Sequence, residues 1–389
     1  MSNGPLSGAH CSEPSDPFNH KKPWIIRVFK NHGIPICIIL GFIIGLTHIW
    51  KLPLEVPRGR IIWSDSEGYY MYLPAVFILK DVHKVPVGSL WPHQNAQGEQ
   101  ILKYTCGVAI MQLPFFLVAK WYCQFNRAEW TNYFNLHYVR AIAISGYFYA
   151  FLGLFFLALA LKRRFNGVVT VWTILSVFLG TNLFYYATIY MTMSHAYSFC
   201  LFAMVFWLTP RFYSKPTYGC ALALGMILGL ITLIRPTNVL VVLLVLLYDV
   251  YSNADLRERV RHLLFQWRKA LFGVIAAIPV FIPQSLYWKT MTGHFIRYSY
   301  TGEGFIYWLR PKLAAVLLDT QNGLLLYSPM VVFMLIGIAI GLRHKNYQAP
   351  ALAVIFLVST YLFASWWAWW FGGAFGHHGK YPSCTNMQK

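Results

Sequence analysis

Apolar residues run along this chain in uninterrupted blocks of roughly 15 to 22, separated by short polar and basic connections. That block length crosses a hydrocarbon layer about 30 Å thick. Blocks lie at Gly33–Trp50, Ala141–Leu161, Gly167–Tyr186, Met191–Leu208, Tyr218–Ile234, Pro236–Val250, Leu271–Trp288, Gly323–Leu342 and Pro350–Phe371, which predicts nine spans. The expected fold is therefore all-α, a polytopic transmembrane bundle forming one membrane-embedded domain over residues 1–389. At 1.5 Å per residue, Pro236–Val250 covers only about 22 Å and is the weakest of the nine.

A further block, Tyr104–Ala119, holds Gln112 and Pro114 and is pinned between Lys103 and Lys120. If it does not cross, four basic groups all face the cytoplasm: Lys162 to Arg164, Arg211 with Lys215, Arg257 to Lys269, and Arg343 with Lys345. If it crosses, every one of them moves outside, against the bias of Lys and Arg toward cytoplasmic loops. The expectation is a helix lying in the outer interface, paired with a second one over Glu67–Leu79, which is aromatic and apolar with a few polar points. Residues 1–32 then form a cytoplasmic tail and residues 51–140 a first outer segment. Lys289 to Asn322 forms a second outer loop, and 372–389 a polar tail. The run Gly33–Trp50 reads as an uncleaved signal anchor.

Composition agrees with the pattern: 57% of residues are hydrophobic and 12% charged, against about 25% charged in soluble domains, which excludes a soluble enzyme. The formal net charge of +19 sits between the apolar blocks, so its partners are membrane lipids and lipid phosphates, and no nucleic acid is expected. Seven scattered cysteines without a C-x-x-C pair give no disulfide framework or zinc knuckle. No P-loop, H-E-x-x-H or G-x-S-x-G occurs, and no internal repeat supports a transporter. Three G-x-x-x-G pairs, Gly41/Gly45, Gly225/Gly229 and Gly337/Gly341, are either close-packing sites or chance.

Two of the 13 acidic residues stand two apart just after the first span, in W-S-D-S-E-G-Y-Y. Asp65 near an apolar boundary is poised as a general base. The competing reading is that Asp65 caps a helix with Glu67 in its first turn.

This motif, Asp65-x-Glu67-Gly68-Tyr69-Tyr70, resembles that of the GT-C superfamily of membrane glycosyltransferases, which includes protein O-mannosyltransferases and the aminoarabinose transferases that modify lipid A. L-K-Y-x-x-G around Lys103, R-P-T around Arg235, Y-S-P at Tyr327–Pro329 and W-W-F-G-G-A-F-G near the C-terminus are similar as well. The resemblance spans roughly residues 25–376. It implies a polyprenyl-phosphate sugar donor and a glycan, lipid or protein acceptor, on the outer face of a bacterial inner membrane. It also implies Asp65 as base, Glu67 as a supporting or metal-binding group, and in some members a divalent metal ion. After Gly376 the chain departs from the family pattern into a polar tail, which is expected to reflect truncation, with an inactive protein as one consequence.

Lys103 is placed to meet a lipid phosphate or simply to snorkel at a helix end. His195, one turn inside a predicted span, is a weak metal ligand, an acceptor contact or a packing histidine. Arg235 suits a phosphate bidentately or is a boundary residue. Tyr69, Tyr70 and Tyr72 are expected to line a sugar subsite. A flippase for lipid-linked saccharides is the alternative function; charges spread through the depth of the spans would support it, and the spans hold almost none.

Overall fold

A computed structural model of the chain describes residues 24–51, 61–85, 93–94, 98, 100–300, 302–346 and 348–370. Of the predicted tails, residues 1–23 and 372–389, with most of the terminal glycine motif, lie outside the described residues, and residues 24–32 of the first tail are the start of a helix instead. Their regular structure is helical apart from a two-residue antiparallel ladder, His93–Gln94 on Gln100–Ile101.

In chain order the helices are α1 (Trp24–Lys51), α2 (Asp65–Tyr70), α3 (Gly107–Phe125), α4 (Leu136–Leu161), α5 (Gly167–Gly180), α6 (Leu183–Thr188), α7 (Ser194–Ser214) and α8 (Tyr218–Ile234). They continue with α9 (Pro236–Leu246), α10 (Asn253–Phe265), α11 (Trp267–Thr292), α12 (Met330–Arg343) and α13 (Ala349–Ser365). Gly33–Lys51 of α1, together with α3, α4 and α11, is long and apolar enough to span a membrane; α5, α8, α9, α12 and α13 are shorter apolar helices. This is the architecture of a membrane protein. Helical form follows from the solvent, because in hydrocarbon every backbone N–H and C=O must be satisfied within its own segment.

Starts are marked by polar side chains that take up the otherwise unpaired first amides. Asn135 accepts from His137 and Tyr138, Asn166 from Val169, Thr217 from Cys220 and Ser252 from Asp255. Glycines then set the close approaches. Gly41 and Gly45 of α1 lie against Phe151 and Tyr147 of α4, and Gly225 and Gly229 of α8 lie against Gly273 and Ala277 of α11. Gly337 has open space where a side chain would be, so the third glycine pair does not act as one.

These contacts also give the directions. Along α1, Gly41, Gly45 and Trp50 meet Phe151, Tyr147 and Arg140, so α1 and α4 are antiparallel. Gly146 and Gly153 of α4 meet Met191 and the Phe199–Cys200 turn, so α4 and α7 are parallel. One end of the bundle thus gathers the C-terminus of α1, α2, the start of α7 and the C-terminus of α8. The other end gathers the basic connections.

Several predicted spans differ in detail. Gly167–Tyr186 is two helices, because extended Thr181 spends its hydroxyl on Val177 O and the Leu183 amide, offering the backbone an alternative to the helix ladder. Pro236–Val250 opens as a 3₁₀ turn and its helix ends at Leu246. Gly323–Leu342 is interrupted at Ser328–Pro329, where proline disfavours helix in the residue before it. Glu67–Leu79 is not one surface helix: it breaks into α2, a turn at Tyr72–Pro74 and a π turn at Ala75–Leu79, with Tyr69, Tyr70, Leu73 and Ala75 buried. The polar helix α10 was not anticipated.

Helix α3, the contested block, has the length and hydropathy of a span. Both of its ends lie at one end of the bundle, while its middle packs inward, Phe115 on Phe148 and Tyr149 of α4. Gly107 abuts the backbone of Ile234 at the end of α8, whereas Cys123 and Tyr122 meet Asn135 and His137 at the start of α4. Cysteines introduced at exposed Lys84 and Asn126, which flank α3, should therefore react with an impermeant thiol reagent from the same side, and one at Arg261 from the opposite side. Labelling of positions 84 and 126 from opposite sides would mean that α3 crosses.

Candidate functional site

Asp65 is the first residue of α2, and Ser64 before it sits at φ 54° and ψ −132°. A non-glycine residue held there stores about 1 to 3 kcal/mol, and such strain clusters at functional sites. Asp65 is not a cap. Ser64 occupies that position without a side-chain cap bond, and the turn is tied instead by Ser66, whose hydroxyl accepts from Trp63 N at 3.0 Å and donates to Trp63 O at 2.7 Å.

The phenol of Tyr104 enters from the segment before α3 and is directed at the Asp65 carboxylate, which accepts from Ser64 Oγ at 3.4 Å and lies in the field of Arg235. Arg235 ends α8, where Pro236 forces the chain out of the helix, so its side chain turns into this end of the bundle. Its Nε donates to Ser194 Oγ at 3.1 Å, at the start of α7, and its guanidinium also reaches the Tyr69 phenol. Tyr69 lies with its ring centroid 4.8 Å from that of Tyr104. Burial pushes the phenols of Tyr69 and Tyr104 above their ordinary range, and Asp65 adds to that direction. Both phenols therefore stay protonated at neutral pH and serve Asp65 and Ser194 as donors. Carboxylate, guanidinium and two phenols come together here from three parts of the chain: α2, the segment before α3 and the end of α8.

The segment that carries Tyr300 and Glu303 closes over this group. Tyr300 stacks edge-on to Tyr104 at 6.1 Å. Lys103 is buried, 6% exposed, with Nζ 2.5 Å from Glu303 Oε1 and 5.1 Å from the centre of the Tyr300 ring. The ammonium predicted to meet a phosphate is thus ion-paired across 200 residues of sequence.

Other predicted site residues disperse. Positions two apart on a helix point in different directions, and Glu67 faces Tyr133 rather than Arg235. His195 lies in the field of Arg235, its ring stacked on Tyr186 at 3.7 Å and its buried Nδ1 without a hydrogen-bond partner. Tyr70 donates to Tyr133 O and packs on Phe116 and Phe134, while Tyr72 donates to Tyr104 O. Both are core residues and neither faces Asp65. Among the described residues no group of three or more His, Cys, Asp and Glu side chains could hold a metal ion, so Asp65, Glu67 and His195 do not form the donor set expected of them.

Tyr104, Ser194, Tyr300 and Glu303 were missed by sequence reasoning. Ser194 adjoins His195, and Glu303 is one of few acidic residues in an outer loop, which are the only local signals.

Comparison of the chain with known protein families, with curated proteins and with solved structures finds no match. Fold and site define a helical protein, with several helices long and apolar enough to span a membrane, that carries a carboxylate–phenol–guanidinium cluster at one end of its bundle.

Gly68 makes the cluster possible, since a Cβ there would lie 2.6 Å from Cδ2 of Tyr104. Gly68→Ala must shift the ring that holds Asp65, and is expected to destabilise the purified protein by about 1 to 3 kcal/mol, read as a lower thermal midpoint. A midpoint equal to that of the parent would show that Tyr104 is not held there.

Proposed function

We propose that the chain is a glycosyltransferase that moves a sugar from a polyprenyl-phosphate donor to a glycan, lipid or protein acceptor on the outer face of a bacterial inner membrane. The observation that supports this most is that Asp65 lies in the field of Arg235 at one end of the bundle. A sugar bonded to phosphate already has a good leaving group. What the reaction needs is a base for the acceptor hydroxyl, a cation for the departing phosphate and fixed orientation.

Asp65 takes the acceptor proton. Tyr104 donates to the carboxylate and fixes which oxygen faces the acceptor, and Arg235 presents a guanidinium that pairs with phosphate through two parallel hydrogen bonds. Ser194 and Tyr69 hold that guanidinium in place. Lys103 serves the phosphate only when the phosphate replaces Glu303 as its partner. Glu67 acts as a supporting group, and the divalent metal of some similar enzymes has no assembled donor set among the described residues. In this reading α3 lies in the outer interface, which suits the placing of both its ends at one end of the bundle, and membrane lipids surround the rest.

The test is loss and rescue in the source cell. Deletion should remove a hexose-sized or pentose-sized unit from a surface glycan, lipid or protein, detected by mass spectrometry, and the parent chain should restore it. Asp65→Asn keeps the Tyr104 hydrogen bond but not the base, so it should fold, reach the membrane and lower transfer by about 10² to 10⁴. Glu67→Gln should cost less. An Asp65→Asn protein that keeps more than about half the parent rate would remove the base from the proposal.

A further inference from the structure

Helix α10 has a mixed inward side and a separate exposed apolar one. Inward, Arg259 lies over the Tyr213 ring at 3.8 Å, His262 packs on the same ring at 5.2 Å, and Leu263 packs against the core. None of its residues is buried. Its apolar residues Leu256, Val260 and Leu264 are exposed at i, i+4 and i+8, on one side of the helix.

That stripe does not stop at the end of α10. Past the bend at Gln266 it continues as Trp267, Leu271, Val274 and Ile278, all exposed, along α11, which is long and apolar enough to span a membrane. Spacings of three and four residues are kept throughout. One apolar surface therefore runs from a predicted lipid-facing span onto a short polar helix, and the medium that covers the first part covers the second. Beside the stripe, Arg257, Arg261 and Arg268 are exposed in a parallel row. The end of α8 at Tyr218 meets Phe272 of α11, which sets α10 at the end of the bundle opposite Asp65.

We infer that α10 docks on an anionic lipid surface, with Leu256, Val260 and Leu264 in the acyl boundary and Arg257, Arg261 and Arg268 on the headgroup phosphates. The charge is complementary: basic residues next to a membrane-embedded apolar stripe bind acidic lipids. Stacking of Arg259 and His262 on Tyr213 locks the opposite side of the helix to the end of α7, so α10 is presented as a rigid ledge. This inference is independent of the proposed transfer reaction.

The test uses the full chain reconstituted in vesicles of phosphatidylcholine with and without phosphatidylglycerol. A fluorophore on Leu264→Cys, in a background free of other cysteines, should be quenched by brominated lipid and not by aqueous iodide, and one on Glu258→Cys should show the reverse. In the unlabelled chain, phosphatidylglycerol retained through purification should fall about five-fold for each of Arg257→Gln, Arg261→Gln and Arg268→Gln, the equivalent of about 1 kcal/mol per basic residue at a charged leaflet. Iodide quenching at position 264, or shielding from both quenchers as under a protein partner or a second copy, would overturn the docking. Retention unchanged by all three substitutions would overturn the anionic preference.

Discussion

The cost of holding a charge away from water governs this molecule. Ionisable side chains at membrane depth are expensive and are tolerated where they pair or reach a polar end. Arg235 is where that constraint bites hardest. It sits at the end of an apolar helix, and it is met by the Ser194 hydroxyl, the Tyr69 phenol and the field of Asp65. Those partners come from α2 and α7, so satisfying one guanidinium at the end of α8 ties three separate parts of the chain together. Asp65 in turn draws in Tyr104, and with it the segment that starts α3.

A second consequence is that the two ends of the bundle differ in kind. At the Asp65 end, the cations of the cluster are held by polar partners, Lys103 by Glu303 and Arg235 by Ser194. At the other, Arg163 and Arg211 lie over Trp207, Arg164 pairs with Asp249, and the row on α10 faces outward. Aromatic faces and lipid phosphate can both hold an arginine without a carboxylate, which lets a chain with 13 acidic and 32 basic residues fold without an acidic counterpart for each base.

Much of the frame could be read from the chain because hydrophobic blocks and punctuation obey local rules. The limits of α8 coincide with the predicted block Tyr218–Ile234, and α4 ends at Leu161 as expected. Where a block contained Thr181 or Ser328–Pro329, hydropathy alone hid a break that local hydrogen bonding and proline sterics impose. Helix α10 was missed because its composition is polar, although Ser252 followed three residues later by Asp255 is a start signal that the structure uses. At the site, Asp65 and Arg235 were legible from their rarity and position. Tyr104, Tyr300 and Glu303 were not, since their relation to Asp65 and Lys103 is made by packing between distant segments and leaves no spacing to count. Tyr70 and Tyr72 were misassigned for the same reason: neighbours of Tyr69 in sequence, they face the core on other sides of the turn.

The ion pair between Lys103 and Glu303 joins residues 200 apart, and a chain is made from one end. At about 5 to 20 residues per second, the ribosome adds Glu303 about 10 to 40 s after Lys103. For that interval Lys103 has no carboxylate from the second outer loop, and its ammonium must remain hydrated at the membrane surface while α4 to α11 are inserted. The cluster around Asp65 is thus among the last features of the molecule to be completed, and a ribosome that stalls before residue 303 leaves a bundle whose helices are largely in place and whose site is still open to water.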